Sequence, residues 1–398
     1  MNGVKHMAKI LGLVLELNPF HNGHDYFIKE AKKRCNPDIT IAVLSGNFTM
    51  RGDLSVLDKF QKTELALAAG IDLVFELPFL SAVNSADYFA RNAVKILTEL
   101  KISHLAFGVE LANPEKLLRM KEIIQNEAFQ AEIRNELNKG LSYPAAAFRA
   151  LGKLTTDEEI ISHFTLPNNT LGIQYLRALD ELNHGAEVEL IKRLDNNYYD
   201  EETTGALSSA TAIREVLRRG GDVSGFVPDY GAVSYLDQNV AENKLLCLLQ
   251  YLFAIKDPEE FQQFWGMSEG IEKRIANFVQ KAKDYRDLVT NIQTKRYPQN
   301  KIKRLLLHII NNTPKEYENR HHHYLRMLGS NPRGLEYIRR LPKNVKSKII
   351  TSFKNQEENP LVRAELAATQ IYAVVAGRPE LTMEEYRIPI ITGGRNEY

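Results

Sequence analysis

Residues 10 to 34 read ILGLVLELNPFHNGHDYFIKEAKKR. Ile10 to Leu15 is an apolar, partly β-branched run of strand length, and from Asp25 onward Phe27, Ile28 and Ala31 recur at helical spacing. The stretch therefore predicts strand, loop, helix. Pro19 and Gly23 punctuate the loop Asn18-Pro19-Phe20-His21-Asn22-Gly23-His24. His21 and His24 stand three residues apart at the helix start, and side chains at i and i+3 share a face.

A helix N-terminus offers unpaired N–H groups and roughly half a positive charge, so anions settle there. Two imidazoles add donors, and Gly23, without a Cβ, would let a phosphate approach the backbone. The same tetrapeptide also fits an ordinary helix start or half of a metal site. Zinc takes three or four protein ligands. Apart from the adjacent Asp25, no acidic or cysteine partner lies beside the pair, so no metal is assigned to it.

Outward from this stretch, the chain has 398 residues, enough for two or three domains with buried cores. Its 44% hydrophobic and 25% charged residues are those of a soluble globular protein, and a net charge of +1 names no partner. Cys35 and Cys247 cannot form a disulfide framework, so a reducing, cytoplasmic setting is expected. No apolar run approaches membrane-spanning length, and no signal peptide is read at the start. Residues 1 to 6, ahead of Met7, are an upstream start or a remnant.

Ile39 to Leu44 reads as a buried strand, followed by the loop Ser45-Gly46-Asn47-Phe48-Thr49-Met50-Arg51-Gly52-Asp53. Loops at the carboxyl ends of parallel strands are where ligands bind. A helix over 57–69, a strand over 71–76, a helix over 85–100 and a strand over 104–109 follow. Residues 114–163 read as mostly helical, and Pro167-Asn168-Asn169 opens a helix with an Asn placed to cap it. Glu187 to Leu194 predicts another strand, with Arg193 near its carboxyl end. Strands alternating with helices of this length indicate an α/β fold with a doubly wound parallel sheet.

Residues 195 to 207 are polar and turn-forming, a mobile loop by composition. Ser208-Ser209-Ala210-Thr211-Ala212-Ile213-Arg214 then starts a helix ending at Gly220-Gly221. The hydroxyls are capping residues first. With Arg214 one turn in, they also suit a second phosphate cradle. From Pro228 strand signals fade, so residues 8–227 are read as the α/β domain and 228–398 as a mostly helical one.

Charge is unevenly spread. Between Lys295 and Lys348 fourteen Lys or Arg face three Glu, a local +11 that leaves about −10 elsewhere. With Tyr297, Tyr317, Tyr324 and Tyr337 interleaved, this is a candidate footprint for a phosphate backbone with aromatics for stacking, or else a set of solvated cationic helix faces. Lys295, Arg296, Lys301, Lys303, Arg304, Arg339, Arg340 and Lys343 are its candidate contacts. His321, His322 and His323 fall here too, and neighbours in sequence point to different sides of a helix, which disfavours a joint metal site.

HNGH, SGNFTMRGD and SSATAIR together resemble the HxGH nucleotidyltransferase superfamily. The ordered set ELNPFHNGH, SGNFTMRG, GIDLVFELP, NSADYFA, FGVE, PNNTLGIQYL and IKR, with RLLLHII and LRMLGSNPRG further on, resembles the bacterial tRNA(Met) cytidine acetate ligases over about residues 8 to 390. The likeness implies a Rossmann-like nucleotidyltransferase domain and a reaction in which ATP activates acetate to acetyl-adenylate. The acetyl group then passes to the wobble cytidine of elongator tRNA(Met). It implies ATP with Mg2+ bridging the phosphates as cofactors, acetate and that tRNA as partners, and neither DNA nor membrane.

Carried over residue by residue, the ATP site would comprise Val14, Leu15, Glu16, Leu17, Asn18, Pro19, Phe20, His21, Asn22, Gly23, His24, Asp25, Tyr26 and Phe27, with Gly108, Asn168 and Arg193. Ser209, Thr211 and Arg214 would meet the triphosphate, and His21, His24 and Arg214 would be catalytic. Where the family has RGE, and a Trp after the lysine of the next helix, this chain has Asp53 and Phe60, which keep the chemical type.

Two rivals share parts of this pattern. An adenylyltransferase of cofactor biosynthesis uses the same HxGH chemistry but has no use for a second, basic helical half. A non-catalytic tRNA-binding protein on this fold would have no need of the two histidines, the serines and the arginines.

Overall fold

The computed structural model describes residues 8–141, 143–193, 208–268, 270–319 and 324–392. The predicted loop over 195–207, residues 1 to 6 and the three consecutive histidines lie outside them.

Strands Ile10–Leu15 (β1), Ile39–Ser45 (β2), Leu73–Leu77 (β3), His104–Val109 (β4) and Glu187–Lys192 (β5) run parallel in the order β5-β4-β1-β2-β3. Their side chains alternate between two packed faces. Ile10, Ile39, Ile41, Val43, Leu73, Phe75 and Leu77 join one core, whereas Leu11, Leu13, Leu15, Ala42, Leu44 and Val74 join the core on the other face. A sheet buried on both faces needs continuous apolar strands, which is what these segments supply.

The connecting helices include Asn22–Cys35 (α1), Lys59–Ala68 (α2), Ala86–Glu99 (α3), Pro167–Glu181 (α4) and Ala210–Arg218 (α5). Helix α1 begins three residues earlier than its apolar spacing suggests, because His21 itself is the N-cap. The Asn cap predicted for α4 is not the observed one. Glu110, at the end of β4, accepts from the backbone N–H groups of Asn168 and Asn169, and Asn169 Oδ1 instead accepts from the N–H groups of Glu110 and Leu111. The acidic residue suits a helix N-terminus better than an amide does.

Strands do not end before Pro228. Leu325–Ser330 (β6) pairs antiparallel with β3 and extends the sheet, and the short Ile349–Ile350 and Ile390–Ile391 pair with β6. Arg326 in the middle of LRMLGS hides the strand from an apolar pattern. It is buried because its guanidinium lies 3.6 Å from the Glu385 carboxylate and donates to the Glu385 carbonyl.

Glu385 belongs to a buried ionic cluster. Lys59 Nζ lies 2.6 Å from Glu76 of β3 and 3.1 Å from Glu365, and also contacts Glu385. Glu365 sits on helix Pro360–Ala376. The cluster thus joins the first half of the chain to the last. Around it a third core gathers Phe48, Leu54, Phe79 and Leu80 with the C-terminal helices.

Candidate functional site

The strand order turns back on itself between β1 and β4, and ligands of open α/β sheets bind beyond the carboxyl ends of the strands at such a point. A cavity of about 260 Å³ opens there. Val14, Leu15 and Glu16 reach it from β1, Gly108 from β4, Arg193 from the end of β5, Asn168 and Tyr175 from α4, and Ser209, Thr211 and Arg214 from α5. His21, Gly23, His24, Tyr26 and Phe27 line it from the start of α1, and Asn18 from the loop before it.

The two imidazoles are in tilted contact, with centroids 3.9 Å apart and planes at 40°. His21 Nδ1 accepts the N–H of Gly23 at 3.0 Å, which leaves the ring proton of the neutral form on Nε2. A Cβ on Gly23 would lie 2.8 Å from His21 Cε1, so the glycine makes room first for that ring. Burial, with Arg193 and Arg214 close by, lowers the His21 pKa to about 3. Burial, His21 and Arg193 likewise push His24 well below its ordinary value. Both are neutral donors and acceptors at pH 7, and His24 Nδ1 is buried with no hydrogen-bond partner.

The backbone of α1 does not offer the free N–H groups expected of it. Asn22 N–H donates to Phe226 O, Gly23 N–H to His21 Nδ1, and those of His24 and Asp25 to His21 O. The positive side of the site comes from arginine. Arg214 Nη1 donates to Asn18 O at 2.7 Å and Nη2 to Thr211 Oγ1 at 3.2 Å, which aims the guanidinium along the loop after β1. Ser209 is the N-cap of α5, its Oγ accepting from Ala212 N–H. Burial lowers the proton affinity of both Arg193 and Arg214.

Five of the sequence-predicted residues do not line the cavity. Leu17 and Phe20 are buried in the core beside α1, and Pro19 follows the cis Asn18-Pro19 bond. Asn22 Nδ2 donates to Gly225 O, and Asp25 accepts from Tyr230 OH and Lys29. The structure adds Thr49, Met50, Arg51 and Asp53 of the loop after β2, and Phe89, Phe107, Leu171, Tyr175 and Lys192. Asn168, Leu171 and Tyr175 recur at i, i+3 and i+7, a helical face that was legible in the sequence once Asn168 was singled out. Glu16 accepts from Met50 N–H at 2.7 Å. Burial raises its pKa, an effect that the Met50 bond and the Lys62 charge only partly offset.

The basic segment is less free than its charge count suggests. Arg326 is buried, Arg333 lies 3.7 Å from Asp72 and Lys348 2.9 Å from Glu99. Lys303 pairs with Asp53 at 2.8 Å and Arg304 donates to Met50 O, so both turn towards the cavity loop. Lys295, Arg296, Arg339, Arg340 and Lys343 are exposed, and Lys301 lies over the Tyr297 ring. The tyrosines are not set out for stacking. Tyr297 and Tyr324 are buried, Tyr337 OH donates to Leu100 O, and Tyr317 packs on the C-terminal core. Among the described residues no group of three or more His, Cys, Asp or Glu is placed to hold a metal ion.

The chain matches the HIGH nucleotidyl transferase family over residues 8–386. It is 34% identical to a tRNA(Met) cytidine acetate ligase of Staphylococcus saprophyticus, over 96% of this chain and 99% of that one. The chain belongs to that ligase family of HIGH nucleotidyl transferases. A second family relative, the tRNA(Met) cytidine acetate ligase of Oceanobacillus iheyensis, is also 34% identical at the same coverage. The crystal structure of apo Thermotoga maritima TmcAL superposes with a TM-score of 0.85 at 30% identity, covering 96% of this chain and 99% of that one. A second form of that protein, bound with alpha-thio ATP, gives 0.82 at 29% identity with the same coverage. No helix among the described residues is long and apolar enough to cross a membrane.

Proposed function

We propose that this protein is a tRNA(Met) cytidine acetate ligase. It activates acetate with ATP and then acetylates the N4 amine of the wobble cytidine of elongator tRNA(Met), in the cytoplasm where that tRNA is found. The observation that carries the reading is the closely packed neutral pair His21 and His24 sharing one cavity with Arg193 and Arg214, in a chain of this family. The alpha-thio ATP bound by the Thermotoga relative supports placing ATP there.

In the first step an acetate oxygen attacks the α-phosphorus and the bond from that phosphorus to the α,β-bridging oxygen breaks, giving acetyl-adenylate and pyrophosphate. No side-chain nucleophile is required, so catalysis is positioning and stabilisation of charge on phosphate oxygens. His21 Nε2–H and His24 donate to the α-phosphate, and Arg214 and Arg193 offset the charge on the departing pyrophosphate. Glu16, on the wall beside it, would hold Mg2+ through water rather than as part of a cage. The ion supplies neutralisation of phosphate charge. In the second step the cytidine amine attacks the acetyl carbonyl, AMP leaves, and the amine gives up a proton.

In this reading residues 8–227 carry the ATP chemistry, and residues 228–398 hold the tRNA. Lys295, Arg296, Lys301, Arg339, Arg340 and Lys343 are its contacts with the phosphate backbone. Anticodon-loop bases are splayed and can be presented singly to such a site.

The test is ATP–pyrophosphate exchange with and without acetate, followed by mass analysis of the wobble cytidine after addition of elongator tRNA(Met). Acetate-dependent exchange and a gain of one acetyl group are expected. Exchange that ignores acetate, or requires a phosphorylated cofactor precursor instead, would overturn the reading.

A further inference from the structure

Helix Gln299–Ile310 (α6) belongs to the basic segment, yet two of its cations point inward. Lys303 Nζ lies 2.8 Å from Asp53 Oδ1, in a pair whose side chains are 24% and 14% exposed. Arg304 Nη1 donates to the Met50 carbonyl at 3.0 Å. Between these two anchors the chain makes a tight turn, in which Gly52 N–H donates to Thr49 O and Thr49 N–H to Asp53 O. Gly52 has φ +78 and lies so close to α6 that a Cβ there would fall 2.5 Å from Arg304 N and 2.8 Å from Lys303 C.

The inner side of the same turn faces the cavity. Met50 N–H donates to Glu16 Oε1 at the end of β1, and Met50, Arg51 and Asp53 line the wall with Arg214. Asp53 is the acidic neighbour whose charge acts most strongly on Arg214. A carboxylate beside a phosphate-binding guanidinium is a competitor for it unless another cation holds it. Lys303 is that cation.

We propose that Lys303 and Arg304 are positioning residues of the adenylation site, holding the 49–53 turn so that Asp53 stays off Arg214 and Met50 stays on Glu16. The proposal deepens the adenylation reading and rests on it for its effect on rate. It also removes these two cations from the tRNA footprint and gives the C-terminal half a direct hold on the ATP cavity.

The test uses the full-length protein with Lys303→Met, Arg304→Gln, Lys303→Arg and the double variant Lys303→Met/Asp53→Asn. Pyrophosphate-exchange kinetics are measured with amide deuterium uptake over residues 47–56. Lys303→Met is expected to lower kcat by about 100-fold, the scale of an ångström-sized misplacement, with a smaller change in the KM for ATP. Uptake should rise in the turn and stay unchanged in the rest of the protein, which separates this effect from misfolding. Lys303→Arg keeps the ion pair and should restore most of the rate, and Asp53→Asn, by removing the competitor, should recover part of the loss in the double variant. Unchanged exchange and unchanged uptake in Lys303→Met and Arg304→Gln, with weakened tRNA binding, would overturn the proposal. Wild-type protein inactive with acetate would sink the function reading alone, because the deuterium uptake reports on the turn whatever the acid.

Discussion

His21 and His24 lie against each other in a cavity wall, 3.9 Å between centroids with their planes tilted by 40°, and one ring caps the helix that carries the other. Such a pair places two neutral donors on one phosphate without adding charge to the apo site. His24→Ala removes the ring whose Nδ1 is unpartnered and leaves the cap intact. It should lower the rate of acetyl-adenylate formation by about 100- to 1,000-fold while tRNA affinity, read by filter binding, stays at the wild-type value. Wild-type exchange in this variant would refute the assignment of the pair.

Burial of neutral histidine makes stability depend on pH. The unfolded chain binds the His21 proton with an ordinary pKa of about 6.5, whereas the folded chain does so at about 3. Between those values the unfolded state carries more protons. This contribution is therefore fully present above about pH 6.5 and is lost as pH falls towards 3. In urea unfolding, His21→Asn, which keeps a good N-cap, should lose less stability than wild type on acidification, by up to about 1.4 kcal/mol per pH unit. Parallel pH profiles for the two proteins would mean that the ring is not held neutral by the fold.

The buried cluster predicts opposite outcomes for two of its members. Burial and the neighbouring Glu365 carboxylate raise the Glu76 pKa well above the usual range, so the proton resides there. Burial disfavours ionised Glu365 as well, but the Lys59 charge and the hydrogen bonds from Glu76, the Phe79 N–H and Lys59 together outweigh it and hold that carboxyl low. Lys59→Met leaves carboxylates without their cation and should cost about 3–5 kcal/mol in chemical denaturation. Glu76→Gln replaces a carboxyl that is already neutral and should cost far less. Equal losses would place the charge on Glu76.

Gly52→Ala tests the packing of the cavity turn independently of any charge. Its φ of +78 and the α6 backbone 2.5 Å from a new Cβ leave no room for a methyl group. The turn should lift from α6, with raised deuterium uptake over residues 47–56 and a loss of exchange activity comparable to Lys303→Met. A variant with wild-type uptake and rate would show that the turn tolerates displacement.

Much of this was legible without coordinates, because the signals involved are local. The apolar runs, the Asn18 to His24 punctuation and the hydroxyl-rich start of α5 each report on a few neighbouring residues. They were enough for the parallel α/β sheet and for the segments that come to line one cavity. Local pattern also misled where a side chain's partner lies far along the chain. The α4 cap is Glu110 rather than an Asn of its own, and β6 carries an arginine made tolerable in a core by the distant Glu385 and Phe353.

What the sequence by itself determined, then, is the set of strands and helices of the first half, the histidine pair and the arginines that accompany it. Periodicity and turn chemistry act over a few residues and need no distant partner. The tertiary structure alone decided which cations are free. A count of fourteen Lys and Arg cannot separate a solvated side chain from one paired across the fold, and Lys303 meets Asp53 only because α6 packs against the turn after β2. That contact depends on the burial of Phe48 and Leu54 in the C-terminal core, a long-range event that a reading of neighbouring residues does not contain.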